Sequence, residues 1–248
     1  MEKKAIALLL SGGSGSRLGA EIPKQYIEAY GKPIIAYSLK TLREHEMIDG
    51  IWIVAGEEWH ELIASWTGKK LLGFSKPGET RQLSIWNGLQ DLRAWMEKAA
   101  EQATSDEGKE MAEDLVVLIH DAARPMVSSG TISACIEGCR EHAGVMPALP
   151  MKDTVYYAVD GRVSELLERS RLIAGQAPEA FRFGAYYEAN RRLMPDRIRE
   201  VNGSTEPAVL AGLDVITIPG DEGNFKITTA ADLERFLLCL ESGAFRRR

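Results

Sequence analysis

Residues 5–19 have the sequence AIALLLSGGSGSRLG, in which six apolar residues run into a glycine-rich loop. Such an apolar run predicts a buried β-strand. Glycine lets backbone N–H groups converge on a phosphate chain that side chains would hold away. The segment therefore predicts a strand that opens into a phosphate-binding loop, with a tight turn without a ligand as the alternative. The glycine spacing matches neither the dinucleotide-binding G-x-G-x-x-G pattern nor a P-loop.

Two cations accompany this loop. Arg17 lies within it, and Lys24 follows in the segment Pro-Lys-Gln-Tyr. Two positive charges beside a glycine cradle favour a triphosphate over a smaller anion.

Length and composition are typical of one soluble enzyme domain covering residues 1–248. The net charge of −6, from 30 basic and 36 acidic residues, argues against a nucleic-acid or membrane-surface partner. We find neither a signal-like segment nor an apolar run long enough to span a bilayer, and we expect a cytoplasmic location. Cys135, Cys139 and Cys239 do not make a disulfide framework. The spacing of the first two before His142 favours helix packing over a metal site.

Strand and helix patterns alternate along the chain. Strands are predicted at 4–10, 51–55, 115–119, 145–149 and 214–218, with a short one at Asn224–Ile227. Helices are predicted at roughly 33–44, 58–66, 80–99, 128–141, 182–193 and 229–241. This alternation predicts an α/β fold, a mainly parallel sheet with helices on both faces. Ligands bind such sheets at the carboxyl ends of the strands. The polar stretch 100–113 is predicted to be a solvated loop.

A second chemical cluster lies in residues 116–125, VVLIHDAARP. Asp121 ends a predicted buried strand, which makes it a candidate Mg²⁺ ligand, with a turn residue as the alternative. His120 is read as a core histidine. Arg124 suits bidentate phosphate binding and is a candidate anion clamp.

Taken together, these motifs resemble a known family. In order along residues 5–236 they are LSGGSGSRLG, PKQY, GKPI, HDAARP, KDT, ERSRL, QAPEAF and NFKITT. The chain resembles the 2-C-methyl-D-erythritol 4-phosphate cytidylyltransferases and their sister group, the ribitol-5-phosphate cytidylyltransferases. The resemblance implies a Rossmann-like fold of the nucleotidyltransferase type.

The resemblance also implies a reaction. The phosphate of a polyol phosphate attacks the α-phosphorus of CTP in line, which yields a CDP-alcohol and pyrophosphate with Mg²⁺ present. The resemblance also implies that Arg17, Lys24 and Lys226 are the catalytic cations and that Asp121 binds the metal. A nucleotide-binding module that has lost catalysis is the alternative of a different class.

The same resemblance places the nucleotide in two loops, the first loop and the segment 78–84. A backbone turn and a serine in that segment read the cytosine edge, and Glu79 stands where the family usually has aspartate. The expected nucleotide-binding residues are Leu10, Ser11, Gly12, Gly13, Gly15, Ser16, Gly78, Glu79, Ser84 and Asp121.

Residues 151–170 break the alternation, because Asp160-Gly161 between alternating segments predicts a β-hairpin. The resemblance implies that this arm, at about 152–170, embraces a second subunit and carries Thr154 and Arg169 into the partner's polyol site. A homodimer with shared active sites is therefore expected.

Two departures from the family concern the polyol. Residues 176–179 are Gln-Ala-Pro-Glu where the family typically has Gln-Thr-Pro-Gln, so a hydroxyl is missing at Ala177. Residues 204–207 are Ser-Thr-Glu-Pro where methylerythritol enzymes usually have Thr-Asp-Glu-Ala. The motif HDAARP favours the methylerythritol substrate, and ribitol 5-phosphate or another polyol phosphate remains the alternative. The expected substrate-binding residues are Arg124, Thr154, Arg169, Ala177 and Ser204.

Overall fold

The computed structural model describes residues 5–13, 22–102 and 115–243. The predicted site residues Gly15, Ser16 and Arg17 lie outside the described residues, as does most of the polar stretch 100–113. The strands are β1 (Ala5–Leu10), β2 (Glu28–Ala29), β3 (Lys32–Pro33), β4 (Ile48–Val54), β5 (Leu71–Ser75), β6 (Val116–Asp121), β7 (Gly144–Pro150), β8 (Tyr156–Val159), β9 (Arg162–Leu166), β10 (Ile173–Gly175), β11 (Glu179–Arg182) and β12 (Val215–Pro219). The helices are α1 (Ile34–Glu44), α2 (His60–Thr67), α3 (Arg81–Gln102), α4 (Ser129–Gly138), α5 (Phe183–Arg191), α6 (Glu206–Leu210) and α7 (Ala230–Glu241).

One mixed sheet organises the fold, with the strand order β10-β7-β11-β6-β1-β4-β5 and β12 paired to β7. The pairs β1–β4, β1–β6, β4–β5 and β7–β12 are parallel. Strands β10 and β11 run antiparallel to their neighbours. The predicted α/β class, with a mainly parallel sheet, is confirmed.

Helices cover both faces of this sheet, as predicted. Alternate residues of β1 point to opposite faces, so Leu9 packs in one apolar cluster with α1, α2 and α4. Leu8 packs in the other cluster with α3 and α5. Both leucines are fully buried, which contributes about 1.5–3 kcal/mol each. Within the described residues, no helix is both long enough and apolar enough to cross a bilayer.

The register between β1 and β6 positions the site. Leu10 pairs with Asp121, and Leu10 also pairs with Val54 of β4. The loops that follow these parallel strands therefore meet at one edge of the sheet, where the sequence predicts the ligand.

Packing explains the cysteines of α4. Cys135 and Cys139 are fully buried in the core, and the Cys135 Sγ lies 3.4 Å from the carbonyl oxygen of Pro178. His142 Nδ1 instead lies 2.6 Å from a carboxylate oxygen of Asp214. The helical spacing thus reflects packing, as predicted.

The predicted strand at Asn224–Ile227 is wrong. The segment follows a turn and lies only two residues before α7, which leaves little length for a ladder of strand hydrogen bonds. Its Ile227 N–H donates to the carbonyl of Ala123 at 2.9 Å. This attachment holds Lys226 next to the end of β6. Thr229 and Asp232 then form a capping box that begins α7.

The hairpin prediction is confirmed by β8 and β9, which pair antiparallel across a two-residue turn. Asp160 and Gly161 have φ values of 47° and 73°, the left-handed conformation that this turn type requires. Every residue of the two strands is exposed, including five large apolar side chains: Tyr156, Tyr157, Val159, Val163 and Leu166. A hairpin of this kind is marginal without a surface to pack against.

Candidate active site

A cavity of about 460 Å³ opens where the loops after β1, β5 and β6 meet. Most of the predicted nucleotide-binding residues line this cavity, as do both predicted catalytic lysines. The lining residues are Leu10, Gly12, Gly13, Lys24, Gln25, Gly78, Glu79, Thr80, Arg81, Ser84, Asp121, Ala123 and Lys226.

The loop after β1 forms one wall, and side-chain hydrogen bonds fix its backbone. The Gln25 Nε2 donates to the carbonyl oxygens of Ser11 at 2.7 Å and Gly13 at 2.8 Å. A Cβ at Gly12 would lie 2.5 Å from the Pro77 side chain, so this close approach requires glycine. Ser11 is buried, and its N–H donates to Val54. Ser11 lies outside the lining of the cavity, and its backbone N–H anchors the loop to β4.

The segment after β5 forms the facing wall. The Gly78 N–H donates to Ser84 Oγ at 3.0 Å, and the Ser84 hydroxyl lies 3.0 Å from the carbonyl oxygen of Thr80. Thr80 Oγ1 accepts from the Leu83 N–H at 3.1 Å and so caps the start of α3. A Cβ at Gly78 would lie 2.5 Å from that of Leu83. The wall therefore presents backbone and a helix N-terminus, both suited to anionic or hydrogen-bonding ligands.

Charged residues converge on Asp121 at the floor of the cavity. Its Oδ1 accepts from Arg81 Nε at 3.0 Å, and its Oδ2 accepts from Lys226 Nζ at 2.8 Å. Burial alone would raise the pKa of Asp121, but these two cations hold that pKa well below its usual range. The carboxylate is thus ionised and compensated at neutral pH.

Arg81 also joins Asp121 to a second buried carboxylate. Its Nη1 donates to Ser204 Oγ at 2.5 Å, and the Ser204 hydroxyl donates to Glu179 Oε2. Thr205 Oγ1 donates to the other oxygen, Glu179 Oε1, at 2.8 Å. Burial raises the pKa of Glu179 despite Arg81 and the two hydroxyls. We call Arg81, Glu179, Ser204 and Thr205 the Glu179 cluster.

The other residues of the HDAARP motif have structural contacts. His120 is fully buried, its Nε2 lies 3.0 Å from the Arg124 carbonyl oxygen, and burial lowers the pKa of His120 to about 4. It is a neutral core histidine, as predicted. Arg124 Nη1 donates to the carbonyl of Asn224 at 2.7 Å. Arg124 therefore braces the loop that carries Lys226 and lies outside the lining of the cavity. Its role as an anion clamp stays a prediction.

The remaining predicted substrate residues also lie outside the cavity lining. Thr154 and Arg169 are exposed on the hairpin side, where Arg169 Nη1 donates to the carbonyl of Lys152 at 3.0 Å. Ala177 is buried, and its carbonyl accepts from Asn224 Nδ2 at 2.7 Å. Ser204 is buried in the Glu179 cluster, where its hydroxyl bonds to Arg81 and Glu179. Its contact with the substrate stays a prediction.

Sequence reasoning missed four residues that line the cavity and one carboxylate next to Arg81. They are Gln25, Thr80, Arg81 and Ala123, and Glu179. Arg81 stood inside the segment 78–84 that we read for base recognition, yet its partners are 40 and 123 residues away along the chain. The change from the family's glutamine to Glu179 was the available signal for a buried charge.

A largely parallel sheet with a glycine loop, a carboxylate and several cations at its carboxyl edge is suited to binding the phosphates of a nucleotide. The model of the 2-C-methyl-D-erythritol 4-phosphate cytidylyltransferase family matches residues 5–241. The chain belongs to this family and is a nucleotidyltransferase that uses CTP.

Similar proteins agree with this assignment. A 2-C-methyl-D-erythritol 4-phosphate cytidylyltransferase of Rubrobacter xylanophilus is 36% identical over 234 residues, which cover 92% of this chain and 91% of that protein. A ribitol-5-phosphate cytidylyltransferase of Streptococcus agalactiae is 29% identical over 237 residues, which cover 93% of this chain and 92% of that protein. The crystal structure of a 4-diphosphocytidyl-2C-methyl-D-erythritol synthase is 25% identical, with a TM-score of 0.75 over 97% of this chain and all of that one.

Proposed function

We propose that this chain transfers CMP from CTP to 2-C-methyl-D-erythritol 4-phosphate and releases pyrophosphate. The observation that carries the proposal is a cavity between two glycine-containing loops in which Lys226 and Arg81 bond to Asp121 and Lys24 also lines the wall. Phosphoryl-type transfer needs positioning and charge stabilisation more than covalent help, and this grouping supplies both.

Asp121 is the residue that we propose to hold a divalent cation, Mg²⁺ in the first place. The donor set fits, because a buried ionised carboxylate faces a cavity that would supply phosphate oxygens. Mg²⁺ bound there would neutralise charge on the phosphates of CTP. Lys226 and Arg81 hold the carboxylate ionised and in place until the nucleotide enters.

Three cationic side chains, Lys24, Lys226 and Arg17, are proposed to stabilise the transition state. Lys24 lines the cavity beside the glycine loop, where it would bind the triphosphate, and the family motif adds Arg17. Lys226 Nζ is positioned by Asp121 and by the attachment of Ile227 to Ala123, so it would reach the α-phosphate and the incoming phosphate. Charge that develops on the α-phosphate oxygens would then meet donors already in position.

Selection of cytosine is assigned to the segment 78–84. Its backbone is held by the Ser84 hydroxyl, which accepts from the Gly78 N–H and donates to the Thr80 carbonyl. A rigid wall of backbone groups discriminates a pyrimidine from a purine by size and by hydrogen bonds to the amide edge. CTP is therefore the expected nucleotide, ahead of UTP, ATP and GTP.

The exposed hairpin supports a homodimer. Five large apolar side chains on β8 and β9 have no cover within the chain, among the residues that the structure describes. Exposed apolar surface of this extent is typical of an interaction site. In the proposed dimer, Thr154 and Arg169 act in the partner's polyol site.

Ribitol 5-phosphate is the second candidate substrate. The observations that favour it are the alanine at the buried position 177 and the relatives of that activity at 29% identity. In both cases the nucleotide half of the reaction is the same, and only the acceptor differs.

Pyrophosphate release from CTP with a panel of polyol phosphates tests the proposal. We expect turnover of 2-C-methyl-D-erythritol 4-phosphate with CTP and little with ATP. Turnover of ribitol 5-phosphate alone would make it the acceptor in place of 2-C-methyl-D-erythritol 4-phosphate. Comparable rates with ATP would contradict the assignment of CTP as the nucleotide. If the folded protein binds CTP but releases no pyrophosphate with any acceptor, the inactive nucleotide-binding module is favoured.

A further inference from the structure

Residues 220–227, which we call the Lys226 segment, lie between β12 and α7 and form neither a strand nor a helix. Lys226 ends in an ammonium group on a flexible four-carbon side chain. Its Nζ now bonds to Asp121 at 2.8 Å. In the proposed reaction this nitrogen passes to the phosphates. Its reach then depends on where the backbone of the segment holds the lysine Cα.

Gln176 holds this backbone from outside the segment. It directly follows β10 and is buried. Its Nε2 donates to the carbonyl oxygen of Asp221 at 3.0 Å, and its Oε1 accepts from the N–H of Asp221 at 2.9 Å. One amide side chain thus binds both backbone groups of a single residue. A Cβ at Gly220 would lie 2.7 Å from Gln176 Oε1, so the segment approaches this amide as closely as glycine allows.

Asn224 makes the return contact from within the segment. It is fully buried, and its Nδ2 donates to the carbonyl oxygen of Ala177 at 2.7 Å. Residues 176 and 177 therefore hold the segment at positions 221 and 224. We call Gln176 and Asn224 the amide clamp. Lys226 lies between this clamp and the bond from the Ile227 N–H to Ala123.

Side chains do here what a ladder of strand hydrogen bonds does elsewhere in the sheet. The Asp221 N–H and carbonyl both bond to Gln176, so removing that amide frees the segment on the N-terminal side of the lysine. A displacement of about 1 Å at a reacting group can lower a rate by about 10²-fold. Loss of the clamp should therefore act on catalysis through the position of Lys226.

We propose that Gln176 and Asn224 are positioning residues that place Lys226 for the transition state. The inference rests on the proposed function, which assigns Lys226 to the α-phosphate and the incoming phosphate. Both amides lie outside the lining of the cavity. They act by fixing the backbone that carries the lysine, and binding of CTP does not depend on them.

The first experiment compares catalysis with nucleotide binding in Gln176→Met, a side chain of similar length without the amide. At saturating CTP and acceptor, kcat should fall by about 10–100-fold. The Kd for CTP, measured by calorimetry, should stay close to that of the wild type. Thr67→Val is the matched control, because it removes a fully buried hydrogen bond, from Thr67 to the carbonyl of Ile63, at the end of α2. It should leave kcat unchanged.

Hydrogen–deuterium exchange follows the segment itself. Peptides that cover residues 220–227 should exchange faster in Gln176→Met than in the wild type, because the Asp221 N–H has lost its acceptor. Peptides from β1 and β6 should exchange as before, and Thr67→Val should leave the segment unchanged.

A double-variant cycle then tests whether the clamp acts through the lysine. In a Lys226→Ala background, measured at high enzyme concentration, Gln176→Met should lower the remaining rate by less than about twofold, since the group that it positions is gone. A role in general stability would lower the rate equally in both backgrounds.

Three outcomes overturn the inference. If Gln176→Met lowers the rate as strongly in the Lys226→Ala background, or keeps the wild-type kcat, the role of the clamp is wrong and the proposed function stands. If Lys226→Ala itself keeps the wild-type kcat, the proposed role of Lys226 is wrong and the inference falls with it. Should Gln176→Met fail to fold, Gln176→Glu keeps an acceptor for the Asp221 N–H but sets an oxygen against the Asp221 carbonyl. An unchanged kcat in that variant also overturns the inference.

Discussion

The two loops that flank the cavity and the Glu179 cluster behind it lie at the same edge of the sheet but are built differently. The loops rely largely on contacts close in sequence. Gly78 packs against Leu83 and bonds to Ser84, five and six residues on. Gln25 bonds to Ser11 and Gly13, 14 and 12 residues back. The Glu179 cluster joins residues from α3, β11 and the start of α6, up to 123 positions apart. A nucleotide wall can thus be encoded in local motifs, while the charges beside it depend on the whole fold.

The comparison also separates the two halves of the reaction. The loops keep the family's motifs apart from glutamate at position 79, whereas positions 177, 179, 204, 205 and 207 depart from the family. We therefore expect large effects on catalysis from residues on the nucleotide side and smaller, substrate-dependent effects from the altered positions.

The largest effect should come from the cations of the nucleotide side. Lys226→Ala and Lys24→Ala should each lower kcat by about 10²–10³, because each removes a donor that acts in the transition state. The measurement is pyrophosphate release at saturating CTP and acceptor. Lys40→Ala is the matched control, since Lys40 lies exposed on α1 beside Glu44. A loss confined to KM would mean that the lysine binds ground state and transition state equally well.

A mixed dimer tests whether the polyol side is shared between subunits. Lys226→Ala and Arg169→Ala chains should each be inactive, yet their heterodimer should recover activity at one of its two sites. That site has Lys226 from one subunit and Arg169 from the other, both wild type. Verified heterodimers without recovery would place Arg169 in its own subunit's site or outside the reaction.

Elements set by residues close in sequence could be predicted, whereas those set by the tertiary fold could not. The strand β1, the turn at Asp160-Gly161 and the start of α7 near residue 229 were predicted because each is set by residues close in sequence. Strand β5 was missed, since it is a half-buried edge strand interrupted by Gly73. Strands β10 and β11 have three and four residues, too few for a recognisable period.

The site shows the same limit. Asp121 and Lys226 were identified from motifs, but their 2.8 Å ion pair spans 105 positions and has no local signature. Ser204 was expected to face the substrate, and its actual partners, Arg81 and Glu179, could not be read from its neighbours. The physical reason is that partners of buried charges are chosen by the tertiary fold.

Loss of the metal carboxylate should have the next largest effect. Asp121→Asn keeps the shape of the side chain but removes the charge that Arg81 and Lys226 compensate. At limiting Mg²⁺ we expect the rate of pyrophosphate release to fall by at least about 10–100-fold, the effect of disturbing the residues around a metal. Rate measurements across Mg²⁺ concentrations should show partial rescue at high Mg²⁺. Full activity at limiting Mg²⁺ would contradict the ligand role.

A methyl group in the nucleotide wall should have a moderate effect. Gly78→Ala places a Cβ 2.5 Å from that of Leu83, which forces the wall to shift at a cost of about 1–3 kcal/mol. CTP binding, measured by calorimetry on the folded variant, should weaken accordingly. Gly130→Ala is the control, because a Cβ there meets nothing within 4 Å. Unchanged CTP affinity in Gly78→Ala would remove this segment from nucleotide recognition.

The smallest effect, and the one that decides the acceptor, concerns Ala177. Its side chain is buried and its carbonyl is held by Asn224, so Ala177→Thr adds a hydroxyl at a fixed position next to the segment that carries Lys226. If the family's hydroxyl at this position contacts the substrate phosphate, kcat/KM for 2-C-methyl-D-erythritol 4-phosphate should rise by up to about tenfold, the factor that 1.4 kcal/mol represents.

If the alanine instead belongs to a site shaped for another polyol phosphate, the threonine should slow that substrate and leave methylerythritol phosphate nearly unchanged. Both acceptors must be measured on both proteins at saturating CTP, with Ala177→Ser as a smaller hydroxyl-bearing control. If both variants gain kcat/KM for methylerythritol phosphate, the altered half of the site serves the family's reaction. A wild type that turns over only ribitol 5-phosphate, and loses that activity with threonine, would show that the departures at 177, 179 and 205 belong to a different acceptor.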